Sequence, residues 1–278
     1  MQKSISAILS GLAIGTLSLS AHATCDALPD HAALTAALQA SVAPTSGTPN
    51  GGFDLNMWAS IVDRDGIVCA VARSGADRGD QWPGSRVISA QKANTANAFS
   101  LPGLALSTAN LWAATQPGGS LFGLQFSNPV DPQTAYGGAR ALGLNTADVV
   151  NYGNADDPMV GSLIGGVNVF GGGLPLYNEE GTLVGAIGVS GDTSCADHNI
   201  AWRTRDALSL DFVPGGVGDA NGVSADNIIF DLDADGASPS GFGHPTCGGP
   251  GDVDDNGNPD DAEDTAAVVA QTPIGVNP

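Results

Sequence analysis

Two short apolar runs, Leu174 to Tyr177 and Thr182 to Val189, flank the polar segment Asn178-Glu179-Glu180-Gly181, a pattern that predicts a β-hairpin. The second run sets Leu183, Gly185, Ile187 and Val189 against Val184, Ala186 and Gly188. Neither face is polar and one is nearly flat, so a helix or a flat ligand could press close to it. At Ser190-Gly191-Asp192 the period changes, and Thr193 or Ser194 can cap a helix carrying Ile200, Ala201, Thr204, Ala207 and Leu208 on one side. The corner aims backbone N–H groups and a helix N-terminus at one spot, which favours an anion or a carboxylate such as Asp192 or Asp197.

Upstream, the Ala- and Leu-rich stretch from Pro29 to Val42 reads as a helix, with Pro44 to Gly52 as its exit loop. Alternation from Leu55 to Val62 and from Ile67 to Ala72 around Asp63-Arg64-Asp65-Gly66 predicts a second hairpin. A polar loop from Ser74 to Gly84 precedes the helical run SRVISAQKANTANAF. Residues 100–164 show a helix around Leu104 to Ala114, a strand-like Leu121 to Phe126 and a Gly/Asn/Asp-rich passage. The aromatic residues of this segment could form a lid over the sheet or simply pack.

Composition separates core from tail. The 278 residues carry 9 Lys+Arg against 29 Asp+Glu, a formal net charge of −20, which disfavours nucleic acid and anionic lipid as partners. Arg205 is the last basic residue, and the segment 211–278 is acidic and rich in Gly, Asp and Pro. The start, MQKSISAILSGLAIGTLSLSAHA, has one Lys, an apolar stretch from Ile5 to Leu19 and a small-residue ending, which reads as a signal peptide cleaved before Thr24. The expected organisation is a leader over 1–23, a domain over 24–210 and a tail over 211–278, in a periplasmic or secreted protein without membrane insertion.

The four cysteines then meet an oxidising compartment, so two disulfides are expected. Of three pairings, Cys25 with Cys69 and Cys195 with Cys247 is favoured, stapling the opening helix to a strand and the tail to the corner. Zinc is the competing reading, though no C-x-x-C spacing supports it. In the tail, Asp252, Asp254, Asn256, Asp260 and Glu263 have the spacing of an EF-hand calcium loop, with Gly257 at its turn. Pro259 stands at the usually apolar eighth position. Asp231, Asp233, Asp235 and Gly236 form half of such a loop. The competing reading is a solvated acidic run.

The run GGGLPLYNEEGTLVGAIGVSGDTSCADHNIA resembles the signature of the GlcG/HbpS-like family, the haem-binding or haem-degrading domain also found at the end of PduO proteins. In that family GG-x-P, a turn, G-x-x-x-GAIGVSG and a helix with an early Asp follow in order. The first hairpin and the pair Lys92-Ala93 match as well. The resemblance implies an α+β, profilin-like fold with an antiparallel sheet flanked by helices, a haem or tetrapyrrole ligand, and a homo-oligomer. His198 in the first helical turn is then the candidate iron ligand, because the helix dipole favours its neutral form. Arg86 and Lys92 are the candidate propionate cations. The plainer reading of Lys92 is a stem over apolar surface with its ammonium on an Asp or a carbonyl.

The family's Glu-x-x-Glu iron site does not carry over, because the only glutamates are Glu179, Glu180 and Glu263. Catalytic residues are not assigned, since neither a nucleophile–base pair nor a metal triad is legible. Two other functions fit the same chain: a sensor or binding module for a non-haem anionic small molecule, and a calcium-stabilised secreted scaffold.

Overall fold

The computed structural model describes residues 24–43, 50–137 and 147–247. Both the leader and the loop from Asp252 to Glu263 lie outside the described residues. Helix α1 (His31–Val42) starts at Asp30, whose carboxylate accepts from Ala33 N. Strands β1 (Trp58–Asp63) and β2 (Val68–Arg73) form the first hairpin, and α2 (Ser85–Phe99) follows the polar loop. Strands β3 (Gly173–Tyr177) and β4 (Leu183–Ser190) form the second hairpin. They lead through the corner into the last helix, Ser194–Ala207, which begins at Thr193 with the side chain accepting from Ala196 N.

All strand pairs are antiparallel, in the order β2-β1-β4-β3. The result is the expected α+β architecture, with the sheet covered on both faces. One core joins the sheet to α1 and the last helix through Leu34, Leu38, Ile61, Ile187 and Trp202. The other joins it to α2 through Val62, Val71, Ala90, Ala93 and Ala186.

Small residues explain how closely α2 lies. Ser60 and Gly173 flank Gly188 in register on its two neighbouring strands. A Cβ at Gly188 would drive into Ser89 O and Ala93 N, so the helix backbone rests on the strand backbone there. Ser60 Oγ meets Ser89 Oγ at 2.8 Å across the same seam. The flat face anticipated from the sequence therefore receives a helix.

Between α2 and β3 the structure departs from expectation. The expected helix from Leu104 to Ala114 is reduced to a 3-10 turn (Ala109–Leu111) and α3 (Trp112–Thr115). Ala105 N donates to Gly215 O, and the Asn110 side chain accepts from Ser107 N and Oγ, so tertiary bonds hold the approach to the turn. The expected strand Leu121 to Phe126 becomes the single turn α4 (Leu124–Ser127), because Gly123 enters at φ 88°. A further turn, α5 (Pro132–Tyr136), follows, and the last helix is hereafter α6.

Both disulfides pair as expected, Cys25 with Cys69 and Cys195 with Cys247. Residues 211–247 of the acidic segment lie against the domain: Ile228 and Ile229 are buried, and Asp226 forms a buried bidentate pair with Arg205 at 2.7 and 3.0 Å. Among the described residues no helix is long and apolar enough to cross a membrane.

Candidate functional site

The corner supplies its own anions. Asp192 accepts from Phe53 N, Leu55 N and Thr193 N at 2.9, 3.1 and 2.6 Å. Asp197 Oδ1 accepts from Gly191 N and Asp192 N, while Oδ2 meets Lys92 Nζ at 2.6 Å. Lys92 Nζ also donates to Val189 O at 3.1 Å. Burial pushes the Asp197 carboxyl up to about 6 and the Lys92 ammonium down, each opposed by the charge of the other. Lys92 thus has an internal carboxylate and a carbonyl as partners, the plainer of its two readings.

Arg86 is enclosed as well. Its Nε donates to Asp157 Oδ2 at 2.8 Å, a second nitrogen meets Asp157 Oδ1, and NH1 reaches Ala135 O at 3.1 Å. Its guanidinium lies 3.7 Å from the centre of the Tyr152 ring.

His198 is fully buried, with its ring 5.6 Å from that of Trp202. Asn227 Oδ1 accepts from Ile228 N, so it also accepts from His198 Nε2–H, at 3.1 Å. That leaves Nδ1 as a bare lone pair, unpartnered among the described residues, as is Trp202 Nε1. Burial, then the charge of Arg205, holds this imidazole near 3, hence neutral. The three side chains expected to share one ligand therefore lie in separate enclosed settings. A propionate would have to displace Asp157 or Asp197 to reach either cation.

A cavity of about 240 Å³ opens elsewhere, at the end of the first hairpin. Trp58, Pro83 and Tyr152 form its apolar walls, and Asp77, Arg78 and Gly79 its rim. Trp58 Nε1 donates to Trp82 O at 3.0 Å, fixing the indole. Arg73 NH1 holds Tyr152 O at 2.7 Å, and His31 Nε2 donates to the next carbonyl, Gly153 O, at 3.0 Å. Arg78 pairs with Asp77 at 3.7 Å across a solvent-exposed contact, an interaction worth little. In the sequence Trp58 and Arg78 stand apart from the aromatic residues of the segment 100–164, Tyr152 among them. The polar loop after β2 was the one available signal.

A nucleophile–base contact that the sequence hid also appears. Ser194 Oγ donates to His244 Nε2 at 2.8 Å, and His244 Nδ1–H donates to Pro245 O at 2.7 Å. Burial lowers this imidazole to about 4, which makes it a weak base. In the half-loop after Ile229, Asp231 accepts from Ser238 Oγ and Ser240 N, and Asp233 from Asp235 N and Ala237 N. These carboxylates organise a turn.

A four-stranded antiparallel sheet covered by helices, closed by a glycine-rich strand, a corner and a carboxylate-led helix, defines the class of domain. Residues 50–205, more than half of the chain, match the family model described as haem degrading protein HbpS-like. The chain belongs to the HbpS-like family. Among solved structures it is similar to the Klebsiella pneumoniae protein ORFY, with 25% identity, TM-score 0.40, and 65% of this chain and 90% of that one covered. A PduOC–haem complex gives 21% identity, TM-score 0.40 and coverages of 65% and 93%. A double mutant of Streptomyces reticuli HbpS gives 20%, 0.37, and 74% and 99%. No curated protein matches the chain.

Proposed function

We propose that this is an exported haem- or tetrapyrrole-binding protein that holds its ligand at the cleft of Trp58, Pro83 and Tyr152. Membership in the HbpS-like family over residues 50–205 is the observation that carries the reading. The two disulfides are compatible with export.

The interior does not fit the group. His198 offers a bare Nδ1, but the residue is fully buried beside Trp202, and the glycine face of β4 is filled by α2. The outer cleft fits a planar anion better. Half-buried Tyr152 offers aromatic surface above the buried Trp58, and Arg78 stands at the rim for a carboxylate. Haem, if bound, would supply a redox-active iron, while the protein's own part would be to pack the ring against Tyr152 and pair its acid group.

Cavity size favours a second reading, a smaller planar acid without metal. The space of about 240 Å³ falls below the roughly 300–1,000 Å³ usual for organic ligands, so a macrocycle would enter by one edge only. Titration of the purified protein with hemin decides. A saturable Soret band, weakened by Arg78→Ala and Tyr152→Ala and kept by His198→Ala, supports the tetrapyrrole reading. Absence of the band ends it, and loss of the band only in His198→Ala moves the ligand from the cleft to the core.

A further inference from the structure

We propose that reduction of the Cys195–Cys247 disulfide creates a site for a thiophilic divalent cation of the zinc type, held by Cys195 Sγ, Cys247 Sγ and His244 Nε2. The three side chains place their donor atoms within 4.8 Å of one another. Two thiolates and one imidazole suit a tetrahedral borderline ion. The fourth position falls to water or to Ser194 Oγ, which stands 2.8 Å from His244 Nε2.

The supporting contacts are already in place. His244 Nδ1–H donates to Pro245 O at 2.7 Å, which fixes the tautomer with the lone pair on Nε2, the form a metal requires. Cys195 N, in the first turn of α6, donates to Cys247 Sγ at 3.1 Å, a contact that favours a thiolate. Cys195 and His244 are buried and Cys247 half-buried, so the site is largely shielded. The sequence shows only His244-Pro245-Thr246-Cys247, two ligands three residues apart, and leaves the third 52 residues away.

In the oxidised chain both sulfurs are committed to each other and the imidazole to Ser194, so no ion is held. A dithiol attacks the S–S bond and becomes a disulfide, passing two electrons and two protons to the cysteines. The cation then displaces the two thiol protons. Metal uptake is thereby gated by the redox state of one bond that joins helix α6 to the acidic segment at Cys247.

The test uses the full chain, reduced by a phosphine, freed of reductant without oxygen and titrated with Co2+. One equivalent binds with the visible bands of tetrahedral cobalt and a sulfur-to-cobalt charge-transfer band, both bleached by Zn2+, and the oxidised protein takes up none. Cys69→Ser keeps the bands and Cys247→Ser loses them. His244→Ala leaves both sulfurs in place and weakens Co2+ at least roughly tenfold. The proposal is overturned if the reduced protein gives no thiolate–cobalt band, if both redox states bind alike, or if His244→Ala binds as tightly as the parent. Bands that follow Cys69 in place of Cys247 would assign the ion to the cluster of Cys25, Asp63 and Cys69, and equally overturn it.

Discussion

Lys92 Nζ stands 2.6 Å from Asp197 Oδ2, and this contact ties α2 to the first turn of α6 across strand β4. Both groups are buried, and Asp197 also orders the N–H groups of Gly191 and Asp192. Removing one partner strands a charge inside the protein. Lys92→Met is expected to cost about 3–5 kcal/mol in urea unfolding, and Lys92→Met with Asp197→Asn less. A double-variant loss equal to the sum of the two single losses would show that the two sites act independently.

Gly188→Ala tests the seam between β4 and α2. The new methyl would enter the space of Ser89 O and Ala93 N, both backbone atoms that cannot rotate away. A loss of about 1–3 kcal/mol or more is expected, with near-ultraviolet circular dichroism altered as α2 shifts. A variant as stable as the parent would mean that α2 does not rest on this strand.

Acid should weaken the fold through its buried imidazoles. His198 and His244 titrate near 3 and 4 because burial disfavours their charged forms, against an ordinary value of 6.5. Between those values the unfolded chain binds more protons than the folded one. Their contribution is therefore complete above about pH 6.5 and is lost as the pH falls. Asp197, raised to about 6, works in the opposite sense, its share being lost as the pH rises through about 6. His198→Gln should flatten the pH dependence of unfolding free energy between pH 6 and 4 by up to about 1.4 kcal/mol per pH unit. Parallel curves for the two proteins would place His198 in water.

The Arg205–Asp226 pair holds the start of the acidic segment. Arg205 NH1 also donates to Pro175 O at 3.1 Å, and its guanidinium lies 4.7 Å from the Trp202 ring centre. Asp226→Ala should destabilise by about 3–5 kcal/mol and speed proteolysis within residues 211–247. An unchanged cleavage rate there would show that the disulfide at Cys247 retains the segment by itself.

Legibility in the sequence followed the range of the interactions. Helix α2 runs from Ser85 to Phe99, the bounds its pattern predicts, because Pro83-Gly84 and Pro102 bracket it locally. Both hairpins were readable for the same reason, through Asp65-Gly66 and Glu180-Gly181. The stretch from Leu101 to Thr115 was not, because its turns are set by bonds to Gly215 and Gly243, about a hundred residues downstream. At the candidate site, Lys92, Arg86 and His198 looked available since their partners Asp197, Asp157 and Asn227 lie 105, 71 and 29 residues off. The same distance hid the meeting of Ser194 with His244.

The close seat of α2 on Gly188 has a corollary for the cleft. Because the sheet's smooth side is spent on internal architecture, the cleft proposed for the ligand is built instead by the peripheral loops at Asp77–Pro83 and around Tyr152. Substitutions in those loops would reshape the cleft without touching the seam of Gly188 with Ser89 and Ala93, so the opening and the frame can change separately.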